Sequence, residues 1–114
     1  MGYPKELTYD TLRSLAFGGI TGAYAIVGAI FSRPVRLLKI VNTTDRTIEV
    51  STDGVTTEDI LPTQTFVLYD LSTNKIRDEG AFFRQGKAIY VRRPAAEANP
   101  TSGSVHVVVI GGVV

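Results

Sequence analysis

Apolar and polar residues alternate with a period of two along much of this chain. Ile48 and Val50 fall on one side, Thr47, Glu49 and Ser51 on the other, as in a half-buried β-strand. Upstream, Val35 to Val41 (VRLLKIV) is a strongly β-forming run. It closes at Asn42-Thr43-Thr44-Asp45, side chains that readily bond their own backbone in turns. Asp53-Gly54 marks a second turn, with Gly suited to positive φ. Residues 35–51 are therefore expected to form a β-hairpin.

The pattern continues in short pieces. Val55 to Thr63 is polar and holds Pro62 near its end, so it predicts a loop or a weak edge strand. Thr65 to Leu71 (TFVLYDL) predicts a strand, 75–80 a charged turn, and Ala81-Phe82-Phe83 a short apolar strand. Lys87 to Arg93 predicts a strand ended by Pro94, and Ala95 to Gly103 a loop. Val105 to Ile110 (VHVVVI) is apolar on both faces, which predicts burial on two sides. Tyr69, Phe66, Leu68, Ile48, Val50, Leu38, Ile40, Ile89, Val91 and Val107 are the expected core.

The N-terminal third differs. Residues 1–14 are polar and mixed, with at most a helical turn near Tyr9–Leu15 capped by Thr8. Leu15 to Phe31 then carries no charge, yet holds Gly18, Gly19, Gly22 and Gly28. A spanning helix wants about 20 apolar residues, and each Gly costs about 1 kcal/mol against Ala in a helix. Glu6 and Asp10 precede the run, unlike a signal peptide's basic start. No membrane anchor is expected. The division is 1–31 as an N-terminal arm, able to contribute a strand, and 32–114 as the β domain. The fold class is all-β: an antiparallel β-sandwich of about seven or eight short strands.

A length of 114 residues suits one domain, and 44% hydrophobic against 20% charged residues permits a core. No Cys is present, which excludes a disulfide framework, a thiolate metal site and a Cys nucleophile. With one His, His106, and no calcium-loop spacing among Asp53, Glu58 and Asp59, neither a metal nor another cofactor is expected. The chain has no G-x-S-x-G elbow, no Walker lysine and no G-x-G-x-x-G spacing. No enzyme is expected. With 12 Lys+Arg against 11 Asp+Glu, the overall charge gives no pull towards nucleic acid. Arg84, Lys87, Arg92 and Arg93 do interleave with Phe82, Phe83 and Tyr90, the mixture a single-strand reader uses. Asp78, Glu79 and Glu97 neutralise that patch, so a protein contact is the favoured reading.

Taken together, V-R-L-L-K-I-V-N-T-T-D, I-E-V-S-T-D-G-V, L-P-T-Q-T-F-V-L-Y-D-L-S-T-N-K, the G-x-F-F-x-x-G turn and the terminal G-S-V-H-V-V-V strand resemble small virion structural proteins of tailed bacteriophages. The Ile20–Gly28 stretch, with Tyr24, fits the same pattern. The resemblance implies a β-rich, non-enzymatic virion protein assembled in the host cytoplasm and present in many copies. The neck or collar at the head–tail junction is the expected place. Capsid decoration is the alternative, and a sheet-based single-stranded nucleic-acid binder a more distant one. Expected partners are further copies of the chain and other virion proteins: portal, neck, tail or major capsid protein. Apolar surface too large for the chain's own core marks a protein interface. The candidate interface residues are Leu15, Phe17, Ile20, Tyr24, Ile26, Ile30 and Phe31 from the arm, with Arg84, Arg92 and Arg93.

Overall fold

The computed structural model describes residues 7–32, 35–70 and 87–112. Among them run nine strands: β1 (Leu7–Tyr9), β2 (Arg13–Ala16), β3 (Ala25–Ile26), β4 (Val35–Asn42), β5 (Ile48–Ser51), β6 (Asp59–Leu61), β7 (Thr65–Asp70), β8 (Tyr90–Arg92) and β9 (Ser104–Gly112). One sheet has the order β1/β2–β9–β4–β7, with β1 and β2 sharing an edge of β9, and the other β3–β8–β5–β6. Every pairing is antiparallel. The inward faces of the two sheets supply one core, including Leu38, Ile40, Ile48, Val50, Ile89, Val91, Val105, Val107 and Val109. This is the all-β sandwich expected from the strand pattern.

The connection expected to be a hairpin is a crossing. β4 lies in the first sheet beside β9 and β7, and β5 in the second beside β6 and β8. The reason is Asn42, fully buried at the end of β4. Its Oδ1 accepts from the Thr44 N–H (2.9 Å) and the Thr44 hydroxyl (2.6 Å). Its Nδ2 donates to the carbonyls of Arg46 (2.9 Å), Leu61 (3.1 Å) and Pro62 (3.1 Å). The first set curls the chain out of the sheet plane; the second ties that bend to the neighbouring crossing from β6 to β7. There the Thr63 hydroxyl donates to the Thr44 carbonyl, and Gln64, at φ 59, donates to the Thr43 carbonyl at 2.9 Å.

Two further crossings stand at the same end. The 93–103 connection leads from β8 to β9, and the Thr43 N–H donates to the Ser104 carbonyl at 2.9 Å. Gly103 lies so close that a Cβ there would sit 2.1 Å from the Thr43 carbonyl oxygen, and its φ is +84°. Asp45 accepts from the Thr101 N–H (2.8 Å) and hydroxyl (2.5 Å), which hold its carboxyl below the usual range. The passage from β2 to β3 is fastened by Phe17 N–H to the Gly103 carbonyl and Arg93 N–H to the Thr21 carbonyl. Four crossings thus stand side by side.

The N-terminal segment is part of the sandwich. In place of a helical turn near Tyr9–Leu15 stand β1 and β2, followed by a 3₁₀ turn at Phe17–Gly19. Ile20, Val27 and Phe31 are fully buried in the core, so residues 7–32 are not a separable arm. Arg13 closes this side. Its guanidinium is buried, donating to the carbonyls of Thr11, Ala29 and Ile30 at 2.7 Å each, and paired with Asp10 at 3.1 Å. The Phe31 ring centroid lies 5.3 Å from it. Gly28, at φ +71°, allows the approach, because a Cβ there would meet Arg13 Cβ at 2.7 Å.

Other expectations are adjusted strand by strand. Val55–Thr63 does hold an edge strand, β6, just before Pro62, and 87–93 narrows to Tyr90–Arg92. β9 buries Val105, Val107 and Val109 completely, while His106, Val108 and Ile110 are only half-buried on its other side. Phe66 and Leu68, expected in the core, are 63% and 56% exposed. Register decides this: Val67 and Tyr69 stand opposite the buried Ile40 and Leu38, which turns Phe66 and Leu68 outward. The expected turn at 75–80 and strand at 81–83 lie outside the described residues.

Two outcomes test the polar fastenings. Asn42→Ala takes this partner from the Leu61 carbonyl and the Thr44 N–H, while the Arg46 and Pro62 carbonyls keep the Thr44 and Thr65 hydroxyls; at about 1–3 kcal/mol for each buried group left unpaired, it should cost about 2 kcal/mol or more. The fall in urea midpoint at unchanged slope measures it. The second concerns acid. Burial pushes the Asp10 carboxyl up, but hydrogen bonds from the Ser32 hydroxyl and N–H, the Thr11 N–H and Arg13 outweigh this and hold it well below the carboxylate range. A carboxyl lowered in the folded state stabilises above its unfolded pKa of about 4 and loses that contribution as pH falls further. Asp10→Asn should therefore flatten the loss of stability below about pH 4, read from thermal midpoints across pH.

Candidate protein interface

The outer face of the first sheet is apolar. Strand alternation sets three rows across β9, β4 and β7: Ile110–Leu37–Asp70, Val108–Lys39–Leu68 and His106–Val41–Phe66. Tyr9, opposite Ile110 on β1 and 71% exposed, extends the first row. Apart from Asp70, Lys39 and His106 these are core-type side chains, on a face where half-buried antiparallel sheets usually carry polar ones. Tyr9, Leu37, Lys39, Leu68, Val108 and Ile110 line a shallow groove of about 280 Å³.

Lys39 sits at the centre of this face. Among the described residues no hydrogen bond or ion pair holds its ammonium. On the same face, Ser14 Oγ lies 2.7 Å from His106 Nδ1, across the Ser14–His106 pair of β2 and β9. A second cleft, about 170 Å³, opens between the sheets beside β6 and β7. Leu38, Ile40, Val50 and Ile89 form its floor, and the Tyr69 hydroxyl donates to Asp59 at its mouth.

The residues expected at an interface are dispersed. Ile20 and Phe31 are corrected outright: both are buried inside the chain's own core and have no surface to offer. Leu15 is half-buried and packs against that core. Phe17 is exposed on the 3₁₀ turn and Ile30 beyond β3, so they belong to different parts of the surface. Arg84 lies outside the described residues.

Tyr24, Ile26 and Arg92 do come together, on the outer face of the second sheet. Ile26 stands beside Tyr90, and the Arg92 guanidinium lies 4.3 Å from the Tyr24 ring centroid. Arg92 Nε donates to Glu49 at 2.7 Å, the first cause of its raised pKa. Tyr24 and Thr57 share a hydrogen bond at the rim. Arg93 turns to Asn99 (2.5 Å) and the Pro94 carbonyl (3.2 Å), and packs where a Gly22 Cβ would stand. Both guanidinium groups are therefore committed within the chain.

The face centred on Lys39 escaped sequence reasoning although its residues were all noticed. A strand that is apolar at every position does not say which side is in; only the pairing of Leu38 with Tyr69 and Ile40 with Val67 does. Lys39, a charge set between Leu37-Leu38 and Ile40-Val41, was the usable signal. Comparison with protein-family models, curated proteins and solved structures finds no match to this chain.

If Phe66 and Leu68 face water, replacing both with Ser should shift stability by no more than about 0.5 kcal/mol each. Val107→Ala, by contrast, should cost about 1–3 kcal/mol through lost burial and a cavity. Urea denaturation of the two variants side by side checks the register.

Proposed function

We propose that this chain is a non-enzymatic structural protein of a tailed-phage virion, a neck or collar component that works at the head–tail junction through protein–protein contacts. The observation that carries the assembly part is the outer face of the first sheet. Tyr9, Phe66 and Leu68 are exposed there and Leu37, Val41, Val108 and Ile110 half-exposed, a contiguous apolar patch of the kind that marks contact sites. The virion part rests on the series of turns and strands that resembles phage structural proteins.

The chemistry elsewhere supports a binding role over the alternatives. Ser14 and His106 are hydrogen-bonded, but they lie on the open outer face of the sheet, and no carboxylate is bonded to His106 among the described residues. A nucleophile–base pair needs an orienting group and a pocket for the reacting atom. Arg92 and Arg93, which a single-strand reader would aim at phosphates, are bonded to Glu49 and Asn99 instead.

The particle itself provides the test. Labelling the chain and imaging assembled virions by electron microscopy should place it in a ring at the head–tail junction. Label spread over the head surface would replace the neck reading with capsid decoration, and virions lacking the chain altogether would overturn both.

A further inference from the structure

Two surface patches of the sandwich match each other in chemistry. One is the apolar outer face of the first sheet with Lys39, unpartnered among the described residues, at its centre. The other is the 55–60 segment, which leads into the edge strand of the second sheet. There Val55 is 77% and Ile60 57% exposed, and Glu58 lies on the surface between them. Glu58 Oε1 accepts from the Thr52 N–H and hydroxyl, both at 2.6 Å. Those bonds fix the side chain, while Oε2 has no partner among the described residues. The other acids nearby are engaged: Glu49 with Arg92, Asp59 with Tyr69, and Asp53 with Ser51 and the N–H groups of Val55 and Thr56.

We infer that the chain associates head to tail with further copies of itself, the 55–60 segment of one copy seating on the first sheet's outer face of the next. Val55 and Ile60 cover the apolar rows, and Glu58 meets Lys39. The inference rests on the assembly reading above and names the partner of that face. Charge favours this arrangement over two outer faces meeting with Lys39 on a twofold axis, which would bring two ammonium groups together; Asp70, in the neighbouring row, already has an interaction within the chain. Like charges so placed are costly. Ile60 points outward from the second sheet, beside Glu49, and Lys39 outward from the first. Two different patches of one surface make a heterologous contact, which repeats into a ring where the rotation closes.

Size sets the strength. Four strand positions about 4.8 Å apart and six residues at about 3.3 Å each give a face of about 400 Å², half the area one partner contributes to a standard stable interface. A pair should therefore be weak, and association should rise steeply with concentration as copies close on one another.

Sedimentation of the purified chain from about 10 μM to 1 mM tests this, with Lys39→Glu, Glu58→Lys and the double exchange beside it. The expected result is concentration-dependent association of the wild type, weakened at least tenfold in each single variant and restored to within about threefold in the double. Both sites are on the surface, and a thermal melt of each variant confirms folding. Should a single variant melt early, Lys39→Gln and Glu58→Gln carry the same comparison, each expected to weaken association several-fold. A wild type that stays monomeric, or single variants that associate as it does, overturns the self-docking. So does a double exchange that fails to restore association. None of these results bears on where the chain sits in a virion, which the particle images decide separately.

Discussion

The buried amide of Asn42 is the constraint from which the architecture follows. A β-strand pair continues as a hairpin when its turn keeps both strands in one plane. Here the turn's own side chains take over the backbone groups a hairpin would have paired. Asn42 accepts from Thr44 and donates to Arg46, which sends β5 into the opposite sheet. The same amide then reaches Leu61 and Pro62, so the crossing from β6 to β7 stands against the first. A polar side chain at full burial is tolerable only when satisfied, and this one is used on both its oxygen and its nitrogen.

Arg13 does for the flank what Asn42 does for the end. A sandwich has open sides where its sheet edges face each other, and the side between β2 and β3 is spanned by a buried guanidinium. Its donors take three carbonyls and a carboxylate that Ser32 and Thr11 hold in place. With this side closed, Ile20, Val27 and Phe31 need no partner chain to leave water. The glycine-rich run is therefore explained by close packing inside the chain, and the surface available for assembly shifts to the first sheet.

The all-β class, most of the strand positions and most of the core were legible in the sequence, because period two and turn residues are local signals. Ile48 and Val50 against Glu49 could be assigned a face from their alternation alone. Pairing partners could not. Asn42-Thr43-Thr44-Asp45 reads equally as a hairpin turn or a crossing, and the difference lies in carbonyls at Leu61 and Pro62, distant in sequence. Phe66 to Tyr69 is apolar throughout, so its inward side is set only by neighbouring strands. Arg13 reads as an ordinary flanking charge until residues 28–32 fold over it. Of the expected interface, Tyr24, Ile26 and Arg92 do share a face, but the larger apolar surface holds Phe66 and Leu68, two residues expected in the core.

That misassignment is itself informative about function. A sequence that reads as core on both faces of β4, β7 and β9 contains more apolar surface than one sandwich can bury. The inner faces take Leu38, Ile40, Val105, Val107 and Val109; the outer ones leave Phe66 and Leu68 in water. Stability of the isolated domain gives no reason for the second set, since polar residues on that face would serve the fold as well and keep it soluble. Lys39 at its centre adds one strongly hydrated charge, which discourages indiscriminate sticking and favours a surface that brings a carboxylate. On the proposed reading this face serves contact with another surface, and the fold leaves it open while closing its own end and flank with bonds made elsewhere, at Asn42 and Arg13.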